Sequence, residues 1–201
     1  MTKTTPKQTT SQIRADIIDA ALPDIVFDGW SLSTIENAAT KTGYDALTVK
    51  AAFPDGITDI LDAFADLADQ EMLKALAGTN AGDLRVRDRI KTSLIARFTY
   101  LNDHKEAVKE SLKFWLNPLR KPRAAKIVWR TADHIWNWAG DTSADYNRYS
   151  KRTLLSGIIA PATLVWLNDH SEDMIKTSDF IDARIANVMT LGKTINKFKS
   201  Q

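Results

Sequence analysis

The sequence contains no cysteine and few of the residues that interrupt helices. The lack of cysteine excludes disulfide bonds, thiolate catalysis and cysteine-ligated zinc or iron–sulfur centres, and it fits a reducing compartment. Only eight glycines and six prolines occur among the 201 residues. A chain of this length can build one substantial hydrophobic core or two smaller ones.

Long apolar runs are also missing. The longest stretch without a charged residue, 153–168, contains a glycine and a proline and is shorter than the roughly 18–20 apolar residues that cross a bilayer. We interpret it as a buried helix. The N-terminus is rich in threonine, lysine and glutamine and has no apolar segment, so no secretory signal is predicted. Residues 1–11 are expected to be a disordered tail.

Motifs for catalysis are absent from the sequence as well. The three histidines, His104, His134 and His170, are far apart and form no close-spaced metal pair. There is no glycine-rich phosphate loop and no Gly-x-Ser-x-Gly motif. We therefore predict no catalytic residue, no metal site and no cofactor, and we expect that the protein is not an enzyme. A hydrolase, or another enzyme that uses an apolar pocket, is the least favoured hypothesis.

Apolar residues recur at spacings of three and four along most of the chain, which is the period of amphipathic helices. No segment alternates with period two for long enough to predict a strand. The sequence thus predicts an all-α fold of nine or ten helices. Pro23 either kinks the first helix or lies in its last turn. A capping box over 142–145 is predicted to open a long helix that ends near Leu167, and the last helix is predicted over 177–199.

The first three predicted helices form a helix-turn-helix. Ala38 and Ala39 would let two helices approach closely, Gly43 would permit the turn, and Phe53 would close the third helix. This pattern resembles the N-terminal domain of TetR-type repressors. It predicts a helix-turn-helix-like domain over 12–56 and a C-terminal all-helical ligand-binding domain over 57–201.

The charge of the helix-turn-helix argues against DNA binding. From 12 to 60 there are three basic and eight acidic residues, a net charge of −5, whereas affinity for DNA comes mainly from phosphate neutralisation by lysine and arginine. The predicted recognition helix also lacks arginine, asparagine and glutamine for contacts to base edges. We therefore predict no nucleic-acid partner. A TetR-type ligand-responsive transcriptional regulator is the alternative function.

The charge balance inverts in the second half of the chain. From 113 to 152 there are nine basic and three acidic residues, a net charge of +6, and five of the six tryptophans lie between 115 and 166. Basic groups and indole rings together suit an interface with anionic lipid headgroups. Trp115 and Trp166 are expected in the core. Trp129 and Trp136 share one helical stripe and Trp138 lies on another, so one of these two faces is predicted to meet a ligand or partner.

Four segments of this half, 129–136, 139–152, 167–171 and 180–189, resemble the Coq-nine family of ubiquinone biosynthesis. The resemblance extends over nearly the whole folded chain. It implies a TetR-like homodimer that binds lipid in its C-terminal domain, is not catalytic, and presents hydrophobic quinone intermediates to the di-iron demethoxyubiquinone hydroxylase. The implied partners are a phospholipid or isoprenoid quinone, this hydroxylase and, weakly, a membrane surface.

The resemblance also assigns residues. Arg152 would meet a phospholipid headgroup, and the lipid-binding residues implied are Arg152, Trp136, Tyr149 and Lys151. The hydroxylase-facing residues implied are Ile135, Asp145, Arg148 and Tyr149, although Arg148 stands where the family usually has tryptophan. On this basis Arg152→Glu is expected to lower the binding of anionic lipid without unfolding the chain.

The ends of the chain give the last expectation. The sequence has no transit peptide, and its final turns around Lys193, Lys197 and Phe198 are basic and amphipathic but short. These features predict a bacterial member of the family. We expect it in the cytoplasm, with peripheral attachment to the inner face of the inner membrane.

Overall fold

The computed structural model describes residues 9–199, and the side chains as far as Thr190. Over these residues the chain forms nine α-helices and no strand, which confirms the all-α prediction. The helices are α1 (Thr10–Asp28), α2 (Leu32–Lys41), α3 (Ala46–Ala52), α4 (Ile57–Ala75), α5 (Val86–Leu101), α6 (Lys105–Trp115), α7 (Lys121–Trp138), α8 (Tyr146–Leu167) and α9 (Ile175–Lys199). Short 3-10 turns occur at Ala81–Asp83, Asn102–His104, Pro118–Arg120 and Glu172–Met174.

The first helix is longer than its apolar stripe. Thr9 and Gln12 form a capping box at its start, and Pro23 lies inside the helix, which continues to Asp28. Gly29, with a φ of 66°, ends it, a conformation that glycine adopts without steric cost. Residues 10 and 11 of the expected tail are therefore helical, and residues 1–8 lie outside the described part of the chain.

The start of α8 differs from the prediction. The helix begins at Tyr146 and is capped by Asp145, whose Oδ1 accepts from the Asn147 N–H at 3.0 Å. The residues before it are held differently, because Asp141 Oδ1 accepts from the Ser143 hydroxyl at 2.8 Å. Such a local side-chain bond competes with helix formation, so the predicted capping box at Thr142 was wrong by one turn.

The described residues form two compact units. The first unit comprises 9–68 and 104–120, and the second comprises 69–103 and 121–199. The first unit thus contains α6 and most of α4 besides the helix-turn-helix. The predicted division into folding domains at 56/57 stays a prediction.

The first unit is organised around the helix-turn-helix of α2 and α3. Ala38 and Ala39 are fully buried, and Gly43 has a φ of 84° in the turn. The side chain of Trp30 joins this core, since its indole N–H donates to the Ala107 carbonyl at 2.9 Å and its ring lies 4.9 Å from that of Phe64. The small residues and the glycine act here as the sequence predicted.

The core of the second unit contains a stacked pair of aromatic rings and a hydrogen-bonded carboxylate. The rings of Phe98 and Trp166 stack with centroids 5.2 Å apart, so Trp166 is a core residue as predicted, whereas Trp115 in the first unit is only half-buried. The buried carboxylate of Asp69 accepts from Arg97 Nε at 2.7 Å and from the Thr131 hydroxyl at 2.9 Å. These bonds join α4, α5 and α7 within the unit.

Candidate functional site

An apolar cavity of about 220 Å³ lies in the second unit. The N-terminal turns of α5, the C-terminal turn of α7 and facing stripes of α8 and α9 enclose it. Its lining is apolar except for two cations and consists of Val86, Arg87, Ile90, Trp136, Lys151, Leu154, Leu155, Ile158, Ile185, Val188 and Met189. We call this cavity the apolar pocket.

The pocket has a closed floor and an open side. Ile90, Leu155 and Ile158 are buried at its floor, whereas Leu154 and Met189 are exposed at its mouth. A site that buries one end of an apolar guest needs both a desolvated floor and an entrance. The pocket therefore has the form of a site for the end of an apolar molecule.

Trp136 and Lys151 form the polar edge of the pocket. The Trp136 indole N–H donates to the Lys151 carbonyl at 3.1 Å, and Lys151 Nζ lies 5.3 Å from the centre of the indole ring. The ammonium group also donates to Asp141 Oδ1 at 2.6 Å and to Ser143 Oγ at 2.9 Å. The indole is thus fixed in orientation, and its apolar ring is left to line the pocket.

A partly buried ion cluster lies beside this edge. The Arg152 guanidinium pairs with Asp133, donates to Asp141 Oδ2 at 2.9 Å and donates to Asn137 Oδ1 at 3.2 Å. Its side chain is only 1% exposed, and that of Asp141 is 3% exposed. Arg148 adds a longer contact of 3.3 Å to Asp133. We call these five residues the α7–α8 ion cluster, because they join the end of α7 and the loop after it to the first turns of α8.

The cluster keeps both carboxylates ionised. Burial acts to raise the pKa of Asp141, but the hydrogen bonds from Lys151, Arg152 and Ser143 outweigh it and hold the pKa far below its ordinary value. Burial likewise acts to raise the pKa of Asp133, and the Arg152 guanidinium outweighs it, so that this pKa is also lowered. The positive charge of Arg152 is therefore matched inside the protein.

The residues predicted to bind lipid occupy different environments. Trp136 and Lys151 line the apolar pocket. Tyr149 is exposed on the first turns of α8, with its ring 6.2 Å from that of Trp129. Arg152 is buried in the ion cluster, so its contact with a headgroup stays a prediction that this arrangement does not favour.

The predicted hydroxylase-facing residues are also divided. Asp145, Arg148 and Tyr149 are exposed around the start of α8. Ile135 is fully buried on α7. The three exposed residues lie within five positions at the start of α8, whereas a surface contact through the Ile135 side chain would require the core to open.

Several pocket residues were not predicted as site residues. Leu154 and Ile158 on α8 face Ile185 and Met189 on α9 across the pocket. Their i, i+4 spacing in each helix is a visible signal in the sequence. The same spacing marks buried core residues, however, and only the tertiary arrangement separates a lined cavity from a filled core.

Two features of the described residues bear on the class of site. Within 9–199, no group of three or more histidine, aspartate or glutamate side chains is placed to hold a metal ion. None of the helices in this range combines the length and the hydropathy needed to span a bilayer.

The fold is similar to that of a solved TetR-type protein. The crystal structure of the TetR transcriptional regulator from Nitrosomonas europaea matches with a TM-score of 0.67, covering 87% of this chain and 97% of that chain. The two sequences are 20% identical. The TetR-like fold predicted from the helix-turn-helix is thereby confirmed.

Sequence relatives connect the chain to one family. Residues 121–192, which contain α7, α8 and much of α9, match the family model of COQ9. The chain is 29% identical over 94% of its length to the ubiquinone biosynthesis protein COQ9 of Rattus norvegicus and 27% identical over the same share to that of Homo sapiens, both named as mitochondrial. It spans 62% of the length of the rat protein. The resemblance predicted from the motifs of the second half is confirmed, and the segment that matches the COQ9 family model lies within a TetR-like fold.

Proposed function

We propose that this chain is a non-catalytic lipid-binding accessory protein of ubiquinone biosynthesis and that the apolar pocket receives the end of a prenyl or acyl chain. The observation that carries the proposal is an open apolar pocket whose α7, α8 and α9 walls lie within the segment that matches the COQ9 family. The relatives named above act in ubiquinone biosynthesis by name, and the pathway intermediates that suit such a pocket are prenylated quinones.

The size of the pocket limits what it can hold. An engineered apolar cavity of roughly 150 Å³ remains dry and binds benzene, so a cavity of about 220 Å³ admits about one or two five-carbon prenyl units. The remainder of a longer chain would leave through the side that Leu154 and Met189 line. The pocket therefore suits the end of a lipid rather than the whole molecule.

Two cations at the pocket suit the polar part of such a guest. Arg87 is exposed, and its Nε lies 3.3 Å from a carboxylate oxygen of the neighbouring Asp88. Lys151 is held by Asp141 and Ser143 but remains partly exposed. We propose Arg87 and Lys151, rather than the buried Arg152, as the groups that face a lipid phosphate or a quinone oxygen.

Presentation of the quinone to a hydroxylase belongs to the same proposal. The exposed residues Asp145, Arg148 and Tyr149 support a contact at the start of α8, next to the polar edge of the pocket. A lipid held with its ring end outward would meet a partner docked there. A homodimer and a peripheral membrane location are further parts of the proposal.

Organic extraction and mass spectrometry of the purified protein test the lipid proposal. The expected result is a co-purified prenyl or acyl lipid at a stoichiometry approaching one per chain. A lipid-free protein that also fails to bind an added short-chain prenylated quinone would contradict it.

A pair of variants on one helix localises the binding. Leu154→Trp places an indole in the pocket mouth, and Leu164→Trp adds the same side chain at an exposed position outside the pocket lining. We expect the first variant to lower lipid occupancy about tenfold or more, because the displaced group loses the burial of several methylenes. The second should bind as the wild type does.

The regulator alternative has its own test. A duplex-binding assay at ~50 mM salt would detect the salt-dependent affinity that phosphate contacts produce. We expect no binding, because the net charge of −5 over residues 12–60 repels a polyanion.

A further inference from the structure

Helix α8 contains three residues that weaken a helix, all within two turns of one another. Ser156 and Gly157 are adjacent, and Pro161 follows them inside the helix. Bends in α-helices occur mostly at prolines and at glycine–serine pairs. Both features coincide over residues 156–161, which we call the α8 weak segment.

The proline and the glycine act on the same backbone hydrogen bond. Proline has no N–H to donate to the carbonyl four residues earlier, and its ring crowds that carbonyl. In α8 the carbonyl four residues before Pro161 belongs to Gly157. Glycine is itself disfavoured in a helix interior, because it has the greatest backbone freedom to lose. The hydrogen bond is therefore missing at the residue that bends most easily.

The structure shows no packing reason for a glycine at 157. The residue is exposed and helical, and a Cβ added to it would meet no described atom outside its own helix within 4 Å. The hydroxyl oxygen of the neighbouring Ser156 is buried and has no hydrogen-bond partner in the part of the chain that the structure describes. Such a hydroxyl favours an opened helix, in which water can reach it. Both residues thus promote bending rather than packing.

The two halves of α8 are anchored to different helices of the second unit. Before the weak segment, the Arg152 guanidinium pairs with Asp133 of α7. After it, the ring of Trp166 stacks on that of Phe98 of α5 with centroids 5.2 Å apart. A bend over residues 156–161 would therefore carry the first half of α8 along with α7 and leave the second half on α5.

The apolar pocket lies beside this junction. Leu154 lines the pocket from the first half of α8, and Ile158 lines it from the weak segment itself. Leu154 faces Met189 of α9 at the mouth, where both side chains are exposed. Movement of the first half of α8 would carry Leu154 away from Met189 and widen the mouth.

We infer that the α8 weak segment is a hinge whose bending widens the mouth of the apolar pocket and sets how fast an apolar guest enters and leaves. The bending follows from α8 itself, whereas the effect on a guest rests on the proposed function. Hinges that admit ligands are commonly a few small residues that absorb a change of backbone angle. Alanine is favoured over glycine inside a helix by about two- to fivefold, so Gly157→Ala should reduce the bent population by about this factor.

Hydrogen exchange of the lipid-free protein tests the bending. In the wild type, the amides of residues 158–160 should be less protected than those of residues 164–167 on the same helix. Gly157→Ala should raise the protection of 158–160 about two- to fivefold. Thr153→Ala is the matched control, because Thr153 is exposed on the same helix and the change raises helix propensity outside the hinge. It should leave the protection of 158–160 unchanged.

Stopped-flow binding of a dansyl-labelled geranyl ether tests the effect on a guest. Gly157→Ala should slow association and dissociation by the same factor, about two- to fivefold, because the guest enters and leaves through one opening. The dissociation constant should therefore stay within about twofold of the wild-type value. Pro161→Ala restores the missing donor and should also slow both rates. Thr153→Ala should bind at the wild-type rates.

Three results would overturn the inference. The first is equal protection of residues 158–160 and 164–167 in the wild type, and the second is an equal effect of Gly157→Ala and Thr153→Ala on exchange or on binding rates. The third is a change in only one of the two rates, which would mean that the substitution alters the pocket rather than its opening. Absence of probe binding with weak protection of 158–160 would instead refute the proposed function, and the control of a guest with it, while the bending itself would stand.

Discussion

Two ion pairs in this protein have similar geometry and very different surroundings. In the helix-turn-helix, Lys41 Nζ lies 2.7 Å from Asp24, and both side chains are substantially exposed. In the α7–α8 ion cluster, Arg152 lies 2.9 Å from Asp141, and both side chains are almost completely buried. The first pair is screened by water and contributes little, whereas the second holds charges that cannot be left unpaired.

This difference shows what a net charge can and cannot say about function. The sequence gives −5 for residues 12–60 and +6 for residues 113–152, and both numbers are correct. In the positive region, however, Arg152 and much of the charge of Lys151 are matched by Asp133 and Asp141 inside the protein. The cations available to an outside ligand are fewer than the count suggests.

Acid should have the largest effect on the free energy of unfolding, because it acts on several paired or hydrogen-bonded carboxylates at once. The pKa values of Asp133, Asp141 and Asp169 are all lowered in the folded state. For Asp169, burial acts to raise the pKa, and the hydrogen bonds from Ser171 and Thr177 outweigh it. A lowered folded-state pKa gives stability that is complete above the unfolded value, near 3.8, and is lost as the pH falls below it.

Urea unfolding across a pH series checks this expectation. The free energy of unfolding should change little from about pH 7 to about pH 5 and then fall steeply below about pH 4. Stability that is independent of pH down to about pH 2 would contradict the presence of these ionised carboxylates in the folded protein. Loss that is complete above pH 5 would assign the transition to other groups.

Reversal of the Arg152 charge should have the next largest effect on the free energy of unfolding. Arg152→Glu would bury a third carboxylate beside Asp133 and Asp141, and we expect it to lower the free energy of unfolding by about 3–5 kcal/mol or to prevent folding. This replaces the expectation from sequence that the variant binds lipid more weakly and stays folded.

Arg148→Glu is the matched control for that variant. It makes the same change of charge one turn earlier on α8, at an exposed side chain, and should alter the free energy of unfolding by no more than about 1 kcal/mol. Urea denaturation of the two variants under one buffer condition measures the difference. Equal destabilisation would mean that burial of the Arg152 charge is not the cause.

The smallest effect on the free energy of unfolding is expected when the exposed ion pair of the helix-turn-helix is broken. Lys41→Ala removes the contact with Asp24 and should change the free energy of unfolding by about 0–1 kcal/mol, because water and salt screen the pair. Thermal unfolding at low and high salt gives the measurement. A loss comparable to that of Arg152→Glu would remove the distinction between the two kinds of pair.

The sequence predicted the helices better than the site. In the sequence, apolar residues spaced three or four apart run from Val86 to Leu101 and coincide with both ends of α5, because they bury one face of the helix and the turns on either side are polar. The start of α8 was misplaced, since Asp141 binds Ser143 locally and several residues of 141–145 can act as a cap. Which of these residues caps the helix is decided by hydrogen bonds to other parts of the chain.

The prediction of the site residues depends on tertiary contacts even more than the prediction of helix ends does. Trp136 and Lys151 do line the pocket, but burial of Arg152 could not be seen in a count of charges. A signal was present in the spacing: Asp133 and Asn137 share one face of α7, while Arg148 and Arg152 share one face of α8. These complementary faces predict an ion cluster only once the two helices are known to pack together.

Photo-crosslinking with a diazirine-bearing prenyl probe tests most directly whether the apolar pocket receives a lipid chain. We expect crosslinked peptides to map to Trp136, Leu154 and Ile158, and the yield to fall in Leu154→Trp but not in Leu164→Trp. Crosslinks confined to residues outside the pocket lining, or a yield that Leu154→Trp leaves unchanged, would contradict a lipid site in the pocket.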